Sequence, residues 1–275
     1  MSLKRTVKIY LFLTIVILAT ACTATQKNTG AVKFAANPVI AHRGAFKKNG
    51  LPENSIAALK EAIRLNCTGS EFDVRMTADD SLIINHDPHY NKLEIERTNY
   101  AELVLYKLSN GEKLPTLREY LLSGMANNTQ TRLVLEIKPS GISKERGKLI
   151  ADRSVKLVKE LHADAMTVYI SFDYDILKRI IETEPRAPAQ YLNGDKSPEE
   201  LKKDRINGAD YHFSVFKKNP DWIGTAKKNK IQLNAWTVND AEGMNWLLDQ
   251  GFDFITTNEP ELLFEILKSR VKRTQ

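Results

Sequence analysis

In GSEFDVRMTADDSLIINHDP, residues 69–88, Glu71 and Asp73 stand two apart in a run with the composition of a strand. Successive strand side chains alternate faces, so the two carboxylates share one face and Phe72 and Val74 the other. Two carboxylates on one face repel unless a cation joins them, and an all-oxygen site suits one hard divalent ion, Mg²⁺ or Ca²⁺. A solvated acidic pair at a strand end explains that spacing equally well on its own. LVLEIKP, residues 133–139, tips the balance, because Glu136 and Lys138 again share a face at the end of an apolar run. Alone they would be an ordinary salt bridge. Together with Glu71 and Asp73 they read as a metal triad with a phosphate-binding lysine beside it.

Histidine supplies proton-transfer chemistry. His42 and His86 both end apolar runs, and each is followed directly by a charged residue, Arg43 or Asp87. One such histidine is ordinarily a hydrogen-bonded structural residue. Two beside a carboxylate cluster are what acid-base catalysis on a phosphodiester needs, one to take a proton from the nucleophile and one to give a proton to the leaving alcohol. Arg43 followed by Gly44 marks a place where an anion approaches the backbone closely. His89, His162 and His212 are weaker candidates; His162 falls in a helical pattern, and His212 ends an apolar run and could line a site.

These residues need a scaffold that sets several strand ends side by side. Strand-length apolar runs at 38–42, 70–74 with a continuation at 82–86, 132–137, 166–171, 187–192, 209–213, 231–236 and 252–256 alternate with amphipathic segments. The latter lie near 55–66, 116–123, 143–162, 173–183, 197–206, 219–229, 240–250 and 260–269. About eight such repeats predict an α/β fold, a (β/α)8 TIM barrel with its polar residues at strand ends; a doubly wound sheet is the competitor. Pro52-Glu53-Asn54-Ser55 opens the first helix, with Asn54 or Ser55 as N-cap. Residues 87–115 break the alternation and predict a short excursion after the second strand, beside the active face.

The chain opens with Lys4, Arg5 and Lys8, then an uncharged apolar run to Ala19-Thr20-Ala21-Cys22. This predicts an export signal over residues 1–21 and a tether over 22–37, leaving one domain over 38–275. Cys22 resembles the lipid-modified cysteine of bacterial lipoproteins, which implies an exported, membrane-anchored protein facing the periplasm or cell exterior. Removing residues 1–21 leaves 37 Lys+Arg against 34 Asp+Glu, so the net charge falls from +6 to +3. No nucleic-acid partner is expected from so small an excess. Cys67 is then the remaining cysteine, read as a buried structural thiol, and no disulfide framework is available.

AHRG, LPENS, GSEFDVRMTADDSLIINHDP, KLPTL, LEIKP, NAWTVND and GFDFITTNEP resemble, in order, the motifs of the glycerophosphodiester phosphodiesterase family, from Pro38 to about Leu263. The resemblance implies a TIM barrel that hydrolyses small glycerophosphodiesters to glycerol 3-phosphate and an alcohol with one divalent metal. It implies that His42 and His86 are the acid-base pair and that Glu71, Asp73 and Glu136 are metal ligands. Arg43 and Lys138 would grip the phosphate, Glu53 would be a further polar member, and Trp236 would form a wall against the glycerol. Trp222 and Trp246 read as helix-sheet packing. The family usually has Asp where this chain has Asn258, expected here to cap the last helix, and Gly where Ser81 stands in a turn. Two other classes compete: a lysophospholipase D-like enzyme with an apolar groove drawn from Leu93, Ile95, Leu103, Val104 and Leu105, and a polyol-phosphate-binding lipoprotein without catalysis. The binding protein would be expected to have lost a catalytic histidine or a ligand, and this chain keeps them all.

Overall fold

The computed structural model describes residues 32–274; the expected signal, Cys22 and residues 22–31 of the expected tether lie outside the described residues. Eight parallel strands form a closed barrel: β1 (Val39–Ala41), β2 (Gly69–Met76), β3 (Arg132–Ile137), β4 (Thr167–Ser171), β5 (Ala189–Tyr191), β6 (Gly208–His212), β7 (Gln232–Trp236) and β8 (Phe254–Thr257). Closure is made by β1, which pairs in parallel with both β2 and β8. Each lies within two residues of its expected bounds. The segment 82–86 does not continue β2. It folds back after Thr77–Ser81 as an antiparallel strand, Leu82–Ile84, against Val74–Met76 of β2. That hairpin swings His86 back over the barrel mouth.

Alternation along the strands divides the core in two. Outward-facing Phe72, Val74, Leu133, Leu135, Ile137, Tyr169, Tyr191 and Tyr211 join the large core between barrel and helices. Inward-facing Ile40, Val134, Val168, Ile170, Leu192 and Phe254 form a separate plug inside the barrel, with Phe172 and Trp236 packed against it. Burying such side chains stabilises the fold by roughly 1.5–3 kcal/mol each before entropy is counted.

Helix α1 (Ile56–Arg64) begins at Ser55, whose hydroxyl accepts from Ala58 N, so Ser55 and not Asn54 is the cap. The expected segments appear as α2 (Leu117–Met125), α3 (Lys144–Glu160), α4 (Tyr174–Thr183) and α5 (Pro198–Lys203). Then come α6 (Phe213–Lys218), α7 (Asp221–Asn229), α8 (Ala241–Gln250) and α9 (Pro260–Thr274). Short α6 was not legible as a helix because its run, FSVFKK, is apolar enough to extend the preceding strand; Pro220 separates it from α7. Thr116 with Glu119 and Ser197 with Glu200 form capping boxes at α2 and α5.

The excursion, 87–115, folds as a small hairpin, a 3₁₀ turn and a short helix over its own cluster of Ile83, Ile95, Leu103 and Leu114. Two carboxylates fasten it. Glu96 accepts from Ser140 Oγ at 2.6 Å and Gly141 N at 2.7 Å, and Glu112 accepts from Ile56 N at 3.0 Å and Ala57 N at 3.2 Å, at the start of α1. At the other pole the end of the expected tether is tied down: Ala35 N donates to Gln130 O at 2.9 Å, and the Arg132 guanidinium lies 3.9 Å over the Phe34 ring. No helix among the described residues is long and apolar enough to cross a membrane.

Candidate active site

A cavity of about 110 Å³ opens at the C-terminal ends of the strands, lined on one side by His42, Arg43, Glu71, His86, Glu136 and Lys138. Asp210, Trp236, Ile170, Phe172, Leu192 and Thr256 line the other side. Of the residues singled out in the sequence, Asp73 lies directly beneath the first group and Glu53 stands outside the lining. Cys22 is outside the described residues.

Strand pairing sets Asp73 beside Glu136, and Glu71 one step down the same face of β2. One oxygen from each carboxylate lies within 4.8 Å of the others, and all three residues are buried. Lys138 Nζ lies 2.9 Å from Asp73 Oδ1 and 2.7 Å from Glu136 Oε1. Burial opposes ionisation of Asp73, but the Lys138 charge, His86 and hydrogen bonds from Lys138 and Asn54 outweigh it and hold the carboxyl at about 2. Burial and then Asp73 push Glu136 up to about 7, while burial, Asp73 and Glu136 push Glu71 well above the carboxylate range. Glu71 Oε1 has no hydrogen-bond partner among the described residues. Three crowded carboxyls, one carrying an orphan oxygen, share the Lys138 charge and part of the Arg43 charge. That donor set fits a hard divalent cation, which would supply the missing charge.

β1 ends abruptly because the loop after it turns through left-handed backbone at Arg43, φ 54°, and Gly44, φ 81°. A Cβ on Gly44 would lie 2.7 Å from the Ala58 carbonyl carbon, so only glycine lets the loop rest on α1. The turn aims Arg43 N at Glu71 Oε2, 2.8 Å, and its guanidinium at Asp73 Oδ2, with Nε at 3.6 Å. Glu53 accepts from Arg43 Nη1 at 2.9 and 3.0 Å, so it orients the guanidinium from outside the cavity. Asn54, also left-handed at φ 58°, donates to Asp73 Oδ2 at 2.7 Å and accepts from Asp73 N at 3.1 Å. The sequence offered Asn54 only as a cap, and its place in the site was missed.

His42 Nδ1 meets Asn258 Oδ1 at 2.7 Å, and its Nε2 faces Glu71 Oε2 at 3.9 Å. An amide oxygen only accepts, which assigns the proton to Nδ1 and leaves Nε2 as the free base. Burial, then the Arg43 charge, lowers His42 to about 4. Asn258 therefore orients His42. It does not cap α9, whose first turn closes from Glu259 O to Leu263 N. His86 Nδ1 lies 2.7 Å from Asp87 Oδ1, and the His86 carbonyl accepts from Arg75 Nε and Nη2 at 2.9 and 2.6 Å.

Trp236 is only part-buried; its Nε1 donates to Asp210 O at 2.8 Å, and Phe172 and His212 meet it edge-on at 5.3 and 5.4 Å. His212 does not line the cavity. It caps α6 through Ser214 and braces the Trp236 ring. His89 is exposed, His162 sits past the end of α3 at φ 57°, and Cys67 is buried, its thiol pushed up by burial. Of the apolar residues offered for a lipid groove, Ile95 and Leu103 are consumed in the excursion's own core and Leu105 is left 74% exposed.

Buried carboxylates, cationic side chains and paired imidazoles at the mouth of a (β/α)8 barrel define a phosphodiester-cleaving class of site. Residues 42–262 match the model of the Glycerophosphoryl diester phosphodiesterase family, and the chain belongs to that enzyme family. It is 29% identical over 244 residues to a glycerophosphodiester phosphodiesterase of Caldanaerobacter subterraneus, covering 84% of this chain and 97% of that one. The crystal structure of a glycerophosphodiester phosphodiesterase from Parabacteroides distasonis superposes with a TM-score of 0.82 at 42% identity, covering 86% of this chain and 99% of that one. An Oleispira antarctica phosphodiesterase, solved with its product sn-glycerol-3-phosphate, shares the fold with a TM-score of 0.72 at 23% identity, over 85% of this chain and 97% of that one.

Proposed function

We propose that this protein hydrolyses glycerophosphodiesters to glycerol 3-phosphate and an alcohol with His42 and His86 as the acid-base pair. The observation that carries this reading is the convergence of both imidazoles, Arg43, Lys138 and the carboxylate triad on one small cavity. Glu71, Asp73 and Glu136 would hold one divalent cation, Mg²⁺ or Ca²⁺. When bound, it supplies Lewis-acid neutralisation of a phosphate oxygen.

Arg43 and Lys138 face the same space and offset phosphate charge as it builds in the transition state. His42, uncharged with its Nε2 free, accepts the proton of the attacking hydroxyl. His86, whose Nδ1 is held by the Asp87 carboxylate, delivers a proton from Nε2 to the departing alcohol oxygen. Trp236, braced by Phe172 and His212, gives the carbon chain a flat wall. The soluble small-molecule substrate, the Cys22 lipid anchor and the exported location belong to the same proposal.

The test is a product screen across glycerophosphocholine, glycerophosphoethanolamine, glycerophosphoglycerol and glycerophosphoinositol, reading release of glycerol 3-phosphate with and without chelator. Release that EDTA abolishes and Mg²⁺ or Ca²⁺ restores is expected. Full activity in excess EDTA would remove the metal from the mechanism, and no release from any diester would overturn the reading itself.

A further inference from the structure

Asp210 has no part in the chemistry above, yet it lines the same cavity. It sits on β6, which is the sixth strand around the closed ring and so stands across the barrel from β2 and its Glu71 and Asp73. It is 1% exposed, and its Oδ1 has no hydrogen-bond partner among the described residues. It is not among the carboxylates whose oxygens meet within 4.8 Å. Its side of the cavity is otherwise mainly apolar, formed by Ile170, Phe172, Leu192 and the Trp236 ring.

A buried polar group without a partner is costly, and it persists where a ligand completes it. The cavity therefore has an ionic side for the phosphate and an apolar side with one carboxyl on its far strand.

We infer that the Asp210 carboxyl hydrogen-bonds the glycerol hydroxyl farthest from phosphorus and thereby sets the preference for glycerol phosphates over deoxygenated alkyl phosphates. The inference rests on the phosphodiesterase reading. Burial, then the Glu136 charge, raises Asp210 well above the carboxylate range, against a hydrogen bond from Asn234. A protonated carboxyl both donates and accepts, which matches a hydroxyl on both counts. The Trp236 indole, tied to the Asp210 backbone, fixes the wall and the polar group relative to each other. An alcohol lacking that hydroxyl would leave Asp210 unpaired again, and a site built to bond a hydroxyl discriminates strongly for that reason.

The experiment compares sn-glycero-3-phosphocholine with its analogue built on propane-1,2-diol, which lacks the distal hydroxyl. Wild type should favour the glycerol compound in kcat/KM on the order of 10²-fold. Asp210→Leu should bring that ratio close to one by losing the glycerol compound selectively, and Asp210→Asn, which keeps a donor and an acceptor, should preserve most of it. In wild type, sn-glycerol 3-phosphate should inhibit far more tightly than propane-1,2-diol 1-phosphate, a readout that needs no variant to fold. Equal inhibition by the two phosphates overturns the inference, as does an Asp210→Leu variant that slows both substrates alike. Wild type that turns over neither diester refutes the underlying phosphodiesterase reading instead.

Discussion

Asn258 determines what His42 can do. A neutral amide fixes the ring's tautomer without supplying the negative charge that would stabilise an imidazolium, so burial and Arg43 prevail and the ring stays uncharged down to about pH 4. The unfolded chain takes up that proton near 6.5. Stability that is whole above 6.5 is therefore lost as pH falls toward about 4, and the loss stops below it. In metal-free protein, NMR of the ring should show titration near 4, and Asn258→Asp should move it upward and shrink the acid loss; titration at 6.5 in wild type would refute this. Glu136 has the opposite sign. Its carboxyl ionises near 4.5 unfolded and near 7 folded, so its contribution is full below 4.5 and is lost as pH rises through about 7. A divalent cation relieves that loss by binding the ionised form, so Mg²⁺ or Ca²⁺ should raise the melting temperature more at pH 7.5 than at pH 5. An equal rise at both values would remove Glu136 from the ligand set. The histidines separate by leaving group. With a nitrophenol, acidic enough to depart unprotonated, His86→Ala should recover much of its rate and His42→Ala should not; equal recovery would refute the assigned roles.

At the scale of elements, the strands and their ends carry the carboxylates and Lys138 while the loops aim Arg43 and the histidines, and the two were unequally legible. Glu71, Asp73, Glu136 and Lys138 could be read as neighbours because strand alternation is strict and Glu136 and Lys138 end an apolar run. His86 was found as a strand end, although it reaches the cavity by a fold-back that periodicity cannot distinguish from a continued strand. Asn54 and Asn258 were read as caps, the default for asparagine beside a helix, because their partners Asp73 and His42 are remote in sequence. Asp210 did carry a signal, a lone acid between the core residues Ala209 and Tyr211, but a single acid in a five-residue strand is too common to stand out. The loop that presents Arg43 gives the element-scale prediction. Gly44→Ala forces a Cβ against Ala58 at a φ of 81°, so the loop must lift from α1 and carry Arg43 away from Glu71 and Asp73. It should cost about 1–3 kcal/mol in urea unfolding and raise KM for the diester. A variant as stable and as tight as wild type would show that the loop is not held by that contact.

At the scale of the molecule, the two poles of the barrel do different things. The cavity opens where the strands end, beside Thr257 and Asn258, whereas the described chain enters at the pole where the strands begin, with Ala35 hydrogen-bonded to Gln130 and to the Thr68 hydroxyl. The proposed tether therefore joins the described barrel, at Ala35, on the pole opposite the mouth. From Cys22 to Val32 an extended chain reaches at most about 35 Å, which bounds how far the proposed lipid on Cys22 would let the barrel stand from a membrane. The cavity's polar, cationic lining suits a small water-soluble diester better than a bilayer lipid. Cys22→Ser should therefore abolish lipid labelling and move the protein from the membrane fraction to the soluble one. Its kcat/KM on glycerophosphocholine should match that of the anchored enzyme within about twofold, since anchoring at the far pole leaves encounter with a small soluble substrate unchanged. Anchored enzyme should gain no turnover of lysophosphatidylcholine placed in its own vesicles. Unmodified Cys22 in the mature protein would end the anchor proposal, and faster turnover of vesicle lipid by the anchored form would end the small-diester reading of the substrate while leaving the cavity chemistry standing.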